Sequence, residues 1–236
     1  MEQRFVVAPE VFERFAGMRL AVVIVDGIDN RDTSAEIATQ WRAAWREAAQ
    51  SAAPYGNAQS HPRVRPWREH FQALGVSGKV FPSSIEALLR RALKGGEPFS
   101  INPLVDFYNT LSLRHIVPVG GFDLAHIHGP LELRLTREGD TFTALDEQTP
   151  LHVPAGEVAY ANGQTILTRH FVWRQAQTAL ITPSTQRVFL VSEILGEVGQ
   201  DVAEAVLADL REGMERFFGV VGRGFMVDED RVGVAW

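Results

Sequence analysis

The sequence contains no cysteine and no long apolar run, and each absence excludes a class of protein. Without cysteine among its 236 residues, the chain can form no disulfide framework, no thiolate nucleophile and no cysteine-ligated zinc site. The longest apolar run, Leu20 to Val25, has six residues, whereas a membrane-spanning helix needs roughly 20. The first residues also lack the basic and apolar regions of a signal peptide. We therefore expect a cytoplasmic protein with no membrane partner.

The usual phosphate-binding and nucleophile motifs are missing as well. Gly75 and Gly78 stand too close together for a phosphate-binding loop, and Val80 stands where a hydroxyl residue would contact magnesium. The segment Gly-Arg-Gly at 222–224 lacks the third glycine of a dinucleotide fingerprint. No G-x-S-x-G nucleophile motif occurs. The sequence therefore predicts no cofactor.

Charge is distributed unevenly along the chain. The formal net charge is −6, and proteins dedicated to DNA binding are usually basic, so we expect no DNA partner. Only the block 61–120 is basic, with eight Lys and Arg against four Asp and Glu. This block is either an ordinary solvated surface or a set of phosphate contacts for RNA. In the second case Arg90 and Arg91 are the RNA-binding candidates, because both lie off the apolar face of a predicted helix.

Apolar residues recur at helical spacing in four segments, at about 33–48, 83–94, 102–115 and 198–217. Thr33 begins the first as part of a capping box, and its stripe includes Trp41 and Trp45, which we expect in the core. The segment 54–66, rich in Pro, Gly, Ser and Asn, is predicted as a loop. The third helix is expected to begin with Asn102 as its N-cap and Pro103 at its first position.

From residue 116 to about 196 the pattern changes to short β-rich segments broken by Gly, Pro and Asp. They cover 116–119, 131–136, 141–145, 157–161, 165–173, 179–182 and 188–194. This spacing predicts a compact sandwich or barrel-like sheet. We interpret the chain as one domain, 1–236, of the mixed α/β (α+β) class. It would comprise an N-terminal α/β extension (1–60), a core (61–196) and a C-terminal helix with one strand (197–236).

Three histidines suggest a possible metal site. His126 and His128, with His170 as a third ligand, could hold zinc from neighbouring strand or loop positions. The more common explanation of such a pair is a surface turn, which predicts no metal. A metal-dependent hydrolase therefore stands as one alternative function.

The stretch from Asn102 to Asp123 resembles a known family. It reads Asn102-Pro-Leu-Val-Asp106-Phe-Tyr-Asn109, then Pro118, then Phe122-Asp123-Leu124. This order and spacing resemble the helix and the following turn of the B3/B4 domain in the beta subunit of phenylalanyl-tRNA synthetase.

Two later segments resemble the proteins that carry this domain without the synthetase. They are 156–160, Gly-Glu-Val-Ala-Tyr, and 169–175, Arg-His-Phe-Val-Trp-Arg-Gln, followed by Thr178. The resemblance covers roughly 60–195, and the N-terminal segment is also similar to the stand-alone relatives.

The resemblance implies both a fold and a function. In the synthetase this domain hydrolyses the ester that joins a wrong amino acid, tyrosine, to the 3′ end of tRNA. The resemblance implies a three-layer fold of unusual topology, with a β-sandwich core, flanking helices and a pocket sized for an amino acid. We therefore expect a tRNA-editing-like protein that hydrolyses misacylated aminoacyl-tRNA in trans. Its partner would be the tRNA 3′ end or an amino acid derivative; the oligomeric state is not specified by the sequence.

One departure from the family pattern leaves a second alternative open. The synthetase pattern has a histidine two residues after the proline, and this chain has Gly120 there, followed by Gly121. A polar group that the family brings to the editing pocket is therefore missing. A non-catalytic module that binds tRNA or an amino acid is the alternative.

The candidate site residues follow from the chemistry of an aminoacyl ester. Such an ester is labile, so a site need only bind the amine, position a water and stabilise an oxyanion. The candidate catalytic residues are Asp106, Glu157 and Arg174. The substrate-binding candidates are Asn102, Asn109, Gly120, Gly121, Tyr160, Arg169, Trp173 and Thr178. Tyr160 or Trp173 could stack on the terminal adenine, or Trp173 could belong to the core and Arg174 could pair with a carboxylate inside the fold.

Overall fold

The computed structural model describes residues 3–32 and 34–236. Its strands are β1 (Arg4–Val7), β2 (Arg19–Asp26), β3 (Val119–Asp123), β4 (Leu131–Leu135), β5 (Thr141–Phe142), β6 (Leu151–His152), β7 (Val158–Asn162), β8 (Thr165–Arg169), β9 (Arg174–Gln175), β10 (Arg187–Ile194), β11 (Arg223–Val227) and β12 (Gly233–Ala235).

The helices lie mostly in the first half of the chain. They are α1 (Pro9–Arg14), α2 (Ala35–Ala52), α3 (Arg65–Ala73), α4 (Ser84–Leu93), α5 (Pro103–His115) and α6 (Gln200–Phe218), with short 3₁₀ turns at Ala53–Tyr55, Ala58–Ser60 and Leu124–His126. In the described part of the chain, no helix combines the length and the apolar character that crossing a membrane requires.

Two sheets form the centre of the fold. The larger has the order β12-β1-β4-β7-β8-β5-β6, with β9 paired to β8, and the smaller has the order β11-β2-β10-β3. Every pair in the smaller sheet is antiparallel, and the larger sheet contains the parallel pairs β1/β4 and β5/β8. The mixed α/β class predicted from the sequence is confirmed.

The apolar run in β2 explains how the layers are arranged. Leu20, Val22 and Ile24 belong to the core between the two sheets, whereas Ala21 and Val23 belong to a second core beneath α5 and α6. Successive strand residues point to opposite faces, so a strand that is buried on both faces is apolar throughout. The smaller sheet is therefore the middle layer, between the larger sheet and these two helices.

The predicted helix starts can be compared with the structure. Asn102 is the N-cap of α5, and its side chain accepts a hydrogen bond from the Val105 N–H at 3.1 Å, as predicted. Thr33 lies outside the described residues; the N-cap of α2 is Ser34, whose side chain accepts from the Ile37 N–H. Helices α1 and α3 were not predicted. Helix α1 has only six residues, and α3 begins at Arg65, inside the segment 54–66 that was predicted as a loop.

The strand predictions need several corrections. Segment 165–173 is a strand only as far as Arg169, because His170 and Phe171 take left-handed conformations (φ 45° and 35°). Segment 179–182 contains no strand, because Ala179 takes a left-handed conformation (φ 58°). Segment 116–119 contributes only Val119 to a strand, since Ile116 ends helix α5 in a left-handed conformation. The C-terminal segment, expected to add one strand, adds β11 and β12, which pair with strands from the start of the chain.

A close helix contact gives a test of the packing. A Cβ added at Gly213 in α6 would overlap the ring of Phe107 in α5. That ring is buried and packs against Phe217 and Phe218. We expect Gly213→Ala to lower the free energy of unfolding by about 1–3 kcal/mol, although alanine favours a helix over glycine by about 1 kcal/mol. Denaturant unfolding measures the change, and adding Phe107→Leu should restore part of it. A stabilised single variant would contradict this contact.

Candidate functional site

A cavity of about 330 Å³ opens between α4, α5, β3 and the turn that follows β8. Its walls are largely aliphatic and aromatic, and include Leu88, Val119, Phe122, Phe171 and Trp173. The volume lies at the lower end of the range for small-molecule sites, which is about 300–1,000 Å³. The cavity therefore has the size and lining of a site for one small organic group.

The closed end of the cavity holds a buried carboxyl group. Along β10, Phe189 and Val191 face the core between the sheets, and the period of two points Glu193 the same way. Glu193 is 4% exposed and Tyr160 is 1% exposed, and the Tyr160 hydroxyl donates to Glu193 Oε1 at 2.6 Å. Burial raises the pKa of Glu193 from 4.5 to about 8. At pH 7 this group is mostly a neutral acid, able to donate or accept a hydrogen bond.

The two glycines of β3 have different surroundings. A Cβ at Gly120 would meet no atom within 4 Å, whereas a Cβ at Gly121 would lie 2.7 Å from the Phe189 carbonyl oxygen and 2.8 Å from Leu190 Cδ2. Gly120 therefore forms a stretch of bare backbone beside open space in the cavity wall. Gly121 instead allows β3 to lie close to β10.

Asn102, Asp106 and Asn109, which are spaced i, i+4, i+7 from the N-cap of α5, form a polar stripe that divides into two parts. Asn109 lines the cavity. Asn102 caps the helix and donates to the Ile181 carbonyl, and Asp106 accepts hydrogen bonds from the Ser100 hydroxyl and the Ile101 N–H. Asp106 and Asn102 thus fix the first turn of α5 and the chain before it, and Asn109 is the member of the stripe that a ligand can reach.

Arg90 and Arg91 are adjacent in α4 but have different environments. Arg90 and Arg68 both donate to Glu86, whose side chain is buried. Arg91 is exposed at the opening of the cavity, where its guanidinium carbon lies 5.1 Å from the centre of the Phe99 ring. Reversing the charge of Arg90 would place two carboxylates together, so Arg91 is the appropriate position at which to test anion binding.

A family model described as the B3/4 domain matches residues 66–203, more than half of the chain. The chain belongs to the B3/4 domain family. Among solved structures it is similar to an N-terminal fragment of the phenylalanyl-tRNA synthetase beta subunit from Pyrococcus horikoshii, with 10% identity and a TM-score of 0.46. That alignment covers 97% of this chain and 55% of the fragment, so the chain spans about half of its length. No curated protein matches the chain.

Glu157 and Arg169 lie together in this B3/4 domain, beside the cavity rather than in its lining. Arg169 donates to both carboxylate oxygens of Glu157 at 2.6–3.0 Å, and the His170 N–H donates to Glu157 Oε1 at 2.6 Å. This ion pair holds the turn in which His170 and Phe171 have φ of 45° and 35°, a strained conformation for residues other than glycine. The same turn carries Phe171 and Trp173 into the cavity wall.

Of the remaining predicted site residues, Trp173 lines the cavity, and Arg174 and Thr178 do not. Arg174 donates to Asp146 at 2.5 Å in an exposed ion pair. Thr178 is half-buried and is not among the described residues that line the cavity. Trp173 is half-buried in the wall, with the Arg169 guanidinium 5.9 Å from its ring centre.

The three histidines of the possible metal site do not converge. His126 lies 3.6 Å from Asp123, and His170 lies 3.6 Å from Glu157 in a different part of the fold. Across residues 3–32 and 34–236, no group of three or more His, Asp or Glu side chains is placed to hold a metal ion.

The prediction from sequence missed Glu193. The signal that could have found it is the only carboxylate of β10, which follows the apolar residues Phe189 and Val191 at the same period of two. Sequence also gave no reason to select Tyr108, Thr168 or Gln175, which reach the cavity from α5, β8 and β9.

The two glycines of β3 give a matched pair of variants. We expect Gly120→Ala to leave the free energy of unfolding within about 0.5 kcal/mol of the parent, because its Cβ enters open space. Gly121→Ala should lower it by about 1–3 kcal/mol through overlap with β10. Thermal unfolding of the two variants measures the difference, and the reverse order would contradict the assignment of their faces.

The raised pKa of Glu193 predicts a pH-dependent stability. Below pH 4.5 the group is protonated in both states; between 4.5 and about 8 it is ionised in the unfolded chain but mostly neutral in the folded protein. The stability of the parent relative to Glu193→Gln should therefore be greatest below pH 4.5. This stability difference should fall by a few kcal/mol as the pH rises from 4.5 to 8, by about 1.4 kcal/mol for each pH unit. Denaturant unfolding at several pH values measures it; a constant difference would contradict the raised pKa.

Proposed function

We propose that this B3/4 domain is a tRNA-editing-like protein, which takes the aminoacyl end of a misacylated tRNA into its cavity and hydrolyses the ester in trans. One observation carries the proposal: the cavity has an arginine at its opening, largely apolar walls and a buried carboxyl group at its closed end. Arg91 can meet a phosphate, and Glu193 with Tyr160 can hydrogen-bond a polar group of the amino acid.

The size of the cavity supports an aminoacyl group as the part that enters. A volume of about 330 Å³ is suited to one amino acid and too small for a nucleotide carrying one. The ester bond would then lie near the opening, with the ribose and the rest of the tRNA outside. The acylated 3′ end of tRNA is the proposed partner, as the resemblance to the synthetase domain also implies.

Hydrolysis requires little from the protein. The oxygen of a water attacks the ester carbonyl carbon, the bond from that carbon to the ribose oxygen breaks, and a proton of the water passes to the departing ribose oxygen. The amide of Asn109 is a donor in the wall that can stabilise the developing oxyanion. The open space beside Gly120 provides room for the attacking water. The Asn109 amide and the space beside Gly120 would act by holding the ester and the water in place. Correct placement of the reactants is the main requirement for hydrolysis of a labile ester.

A second candidate function is binding of the same substrate without hydrolysis. The observation that favours it is the bare backbone at Gly120, the position at which the resemblance implies a histidine. In this case the cavity would hold an aminoacyl group or an amino acid derivative without a side chain at this position to direct a water.

A deacylation assay over a panel of mischarged tRNAs tests the proposal. We expect release of the amino acid from at least one tRNA, and a fall in kcat/KM of about 10²-fold in Asn109→Ala, because removing one oxyanion donor costs that order. Arg174→Gln is the control, since Arg174 contacts Asp146 at the surface. Its kcat/KM should stay within about twofold of the parent, as for a weak exposed ion pair.

The outcomes separate the two candidates. Binding of acylated tRNA without ester loss from any member of the panel would establish the second candidate in place of the first. Neither binding nor ester loss would refute both. A large loss of activity in Arg174→Gln together with an unchanged Asn109→Ala would place the chemistry outside the cavity.

A further inference from the structure

The opening of the cavity carries an exposed aromatic side chain. Phe99 lies in the segment between α4 and α5, lines the cavity and is 39% exposed. Next to it Ile101 is 58% exposed, and the guanidinium of Arg91 lies over the Phe99 ring. Large apolar side chains that are exposed together beside a pocket are typical of a binding surface.

This platform, defined as Arg91 and Phe99, is held in place by helix α2. The Trp41 indole N–H donates to the Phe99 carbonyl oxygen at 3.0 Å. The Trp45 ring meets the Phe99 ring edge to face, at 6.3 Å between centres and 89° between planes. Both tryptophans are buried, so the Phe99 ring is positioned by packing even though it is exposed. Helix α2 precedes the residues that match the B3/4 family model.

We infer that the platform stacks the base of the 3′-terminal nucleoside of the substrate. With the aminoacyl group in the cavity, the ribose leaves through the opening, and its base must lie within one sugar of the rim. A planar guanidinium and an aromatic ring both stack on nucleobases. This inference rests on the proposed function, because it assumes an acylated nucleoside.

The other aromatic candidates are less accessible to a base. Tyr160, considered from sequence for stacking on adenine, lies at the closed end of the cavity, 1% exposed, with its hydroxyl on Glu193. Trp173 is half-buried in the wall beneath Arg169. Phe99 is therefore the most exposed of these three aromatic side chains and the most accessible to a base.

Short RNA probes test the platform directly. The probes are the tetranucleotide ACCA and the same tetranucleotide without its last base, and the readout is the ratio of their dissociation constants. We expect the parent to prefer the complete probe by roughly 5- to 100-fold, the range for one base stacked on an aromatic ring. Phe99→Ala should abolish this preference and Phe99→Trp should preserve it. Leu145→Ala, at a side chain that is 55% exposed and not part of the cavity lining, is the matched control.

The outcomes distinguish this inference from the proposed function. Equal binding of the two probes by the parent, or a preference that survives in Phe99→Ala, would overturn the platform. A preference lost in Phe99→Ala, in a protein that neither binds nor cleaves any acylated tRNA, would refute the proposed function and retain the platform. Phe99→Leu keeps the apolar contact with Trp45 and removes the aromatic face, so it gives the same answer if the alanine variant does not fold.

Discussion

The pairing of β2 with β10 is the constraint on which the rest of the structure depends. Eight residue pairs align the two strands, from Arg187 with Asp26 to Ile194 with Arg19. Both strands are buried on two faces, so a slip of one residue would turn every side chain to the wrong layer. The register also places Glu193 beside Tyr160 at the closed end of the cavity. Ionising a carboxyl group there is costly, and the neutral acid avoids that cost. Its hydrogen bond with the Tyr160 hydroxyl keeps a paired polar group at the end of an apolar site.

The opening of the cavity is built by segments that are distant in sequence. The Glu157–Arg169 ion pair holds a strained turn that supplies one wall, Asp106 fixes the chain before α5 on the other side, and Trp41 anchors the Phe99 backbone from α2. Asp106 and Glu157, two of the residues that sequence analysis selected as catalytic, thus position the walls, whereas Arg174, the third, lies in an exposed ion pair with Asp146. Asp106 and Glu157 each have a structural partner inside the fold. These contacts account for the polar side chains without a contact to substrate.

Much of the fold could be predicted from local patterns. The starts of α4 and α5 at Ser83 and Asn102 are confirmed, because a cap and an apolar stripe act over a few residues. The shorter elements were less predictable. The two-residue strands β5, β6 and β9 depend on neighbours in the folded structure, because two residues carry no periodicity of their own.

The sequence by itself determined the mixed α/β class, the capped start of α5 at Asn102, and the resemblance that led to the B3/4 family. Only the tertiary structure decided which polar side chains reach the cavity. It brought Asn109 and Glu193 to the cavity and placed Glu157 beside it, in an ion pair. The physical reason is that access to the cavity depends on strand register and on the packing of segments far apart in the chain, whereas residue type and spacing report only on neighbours within a turn or a strand.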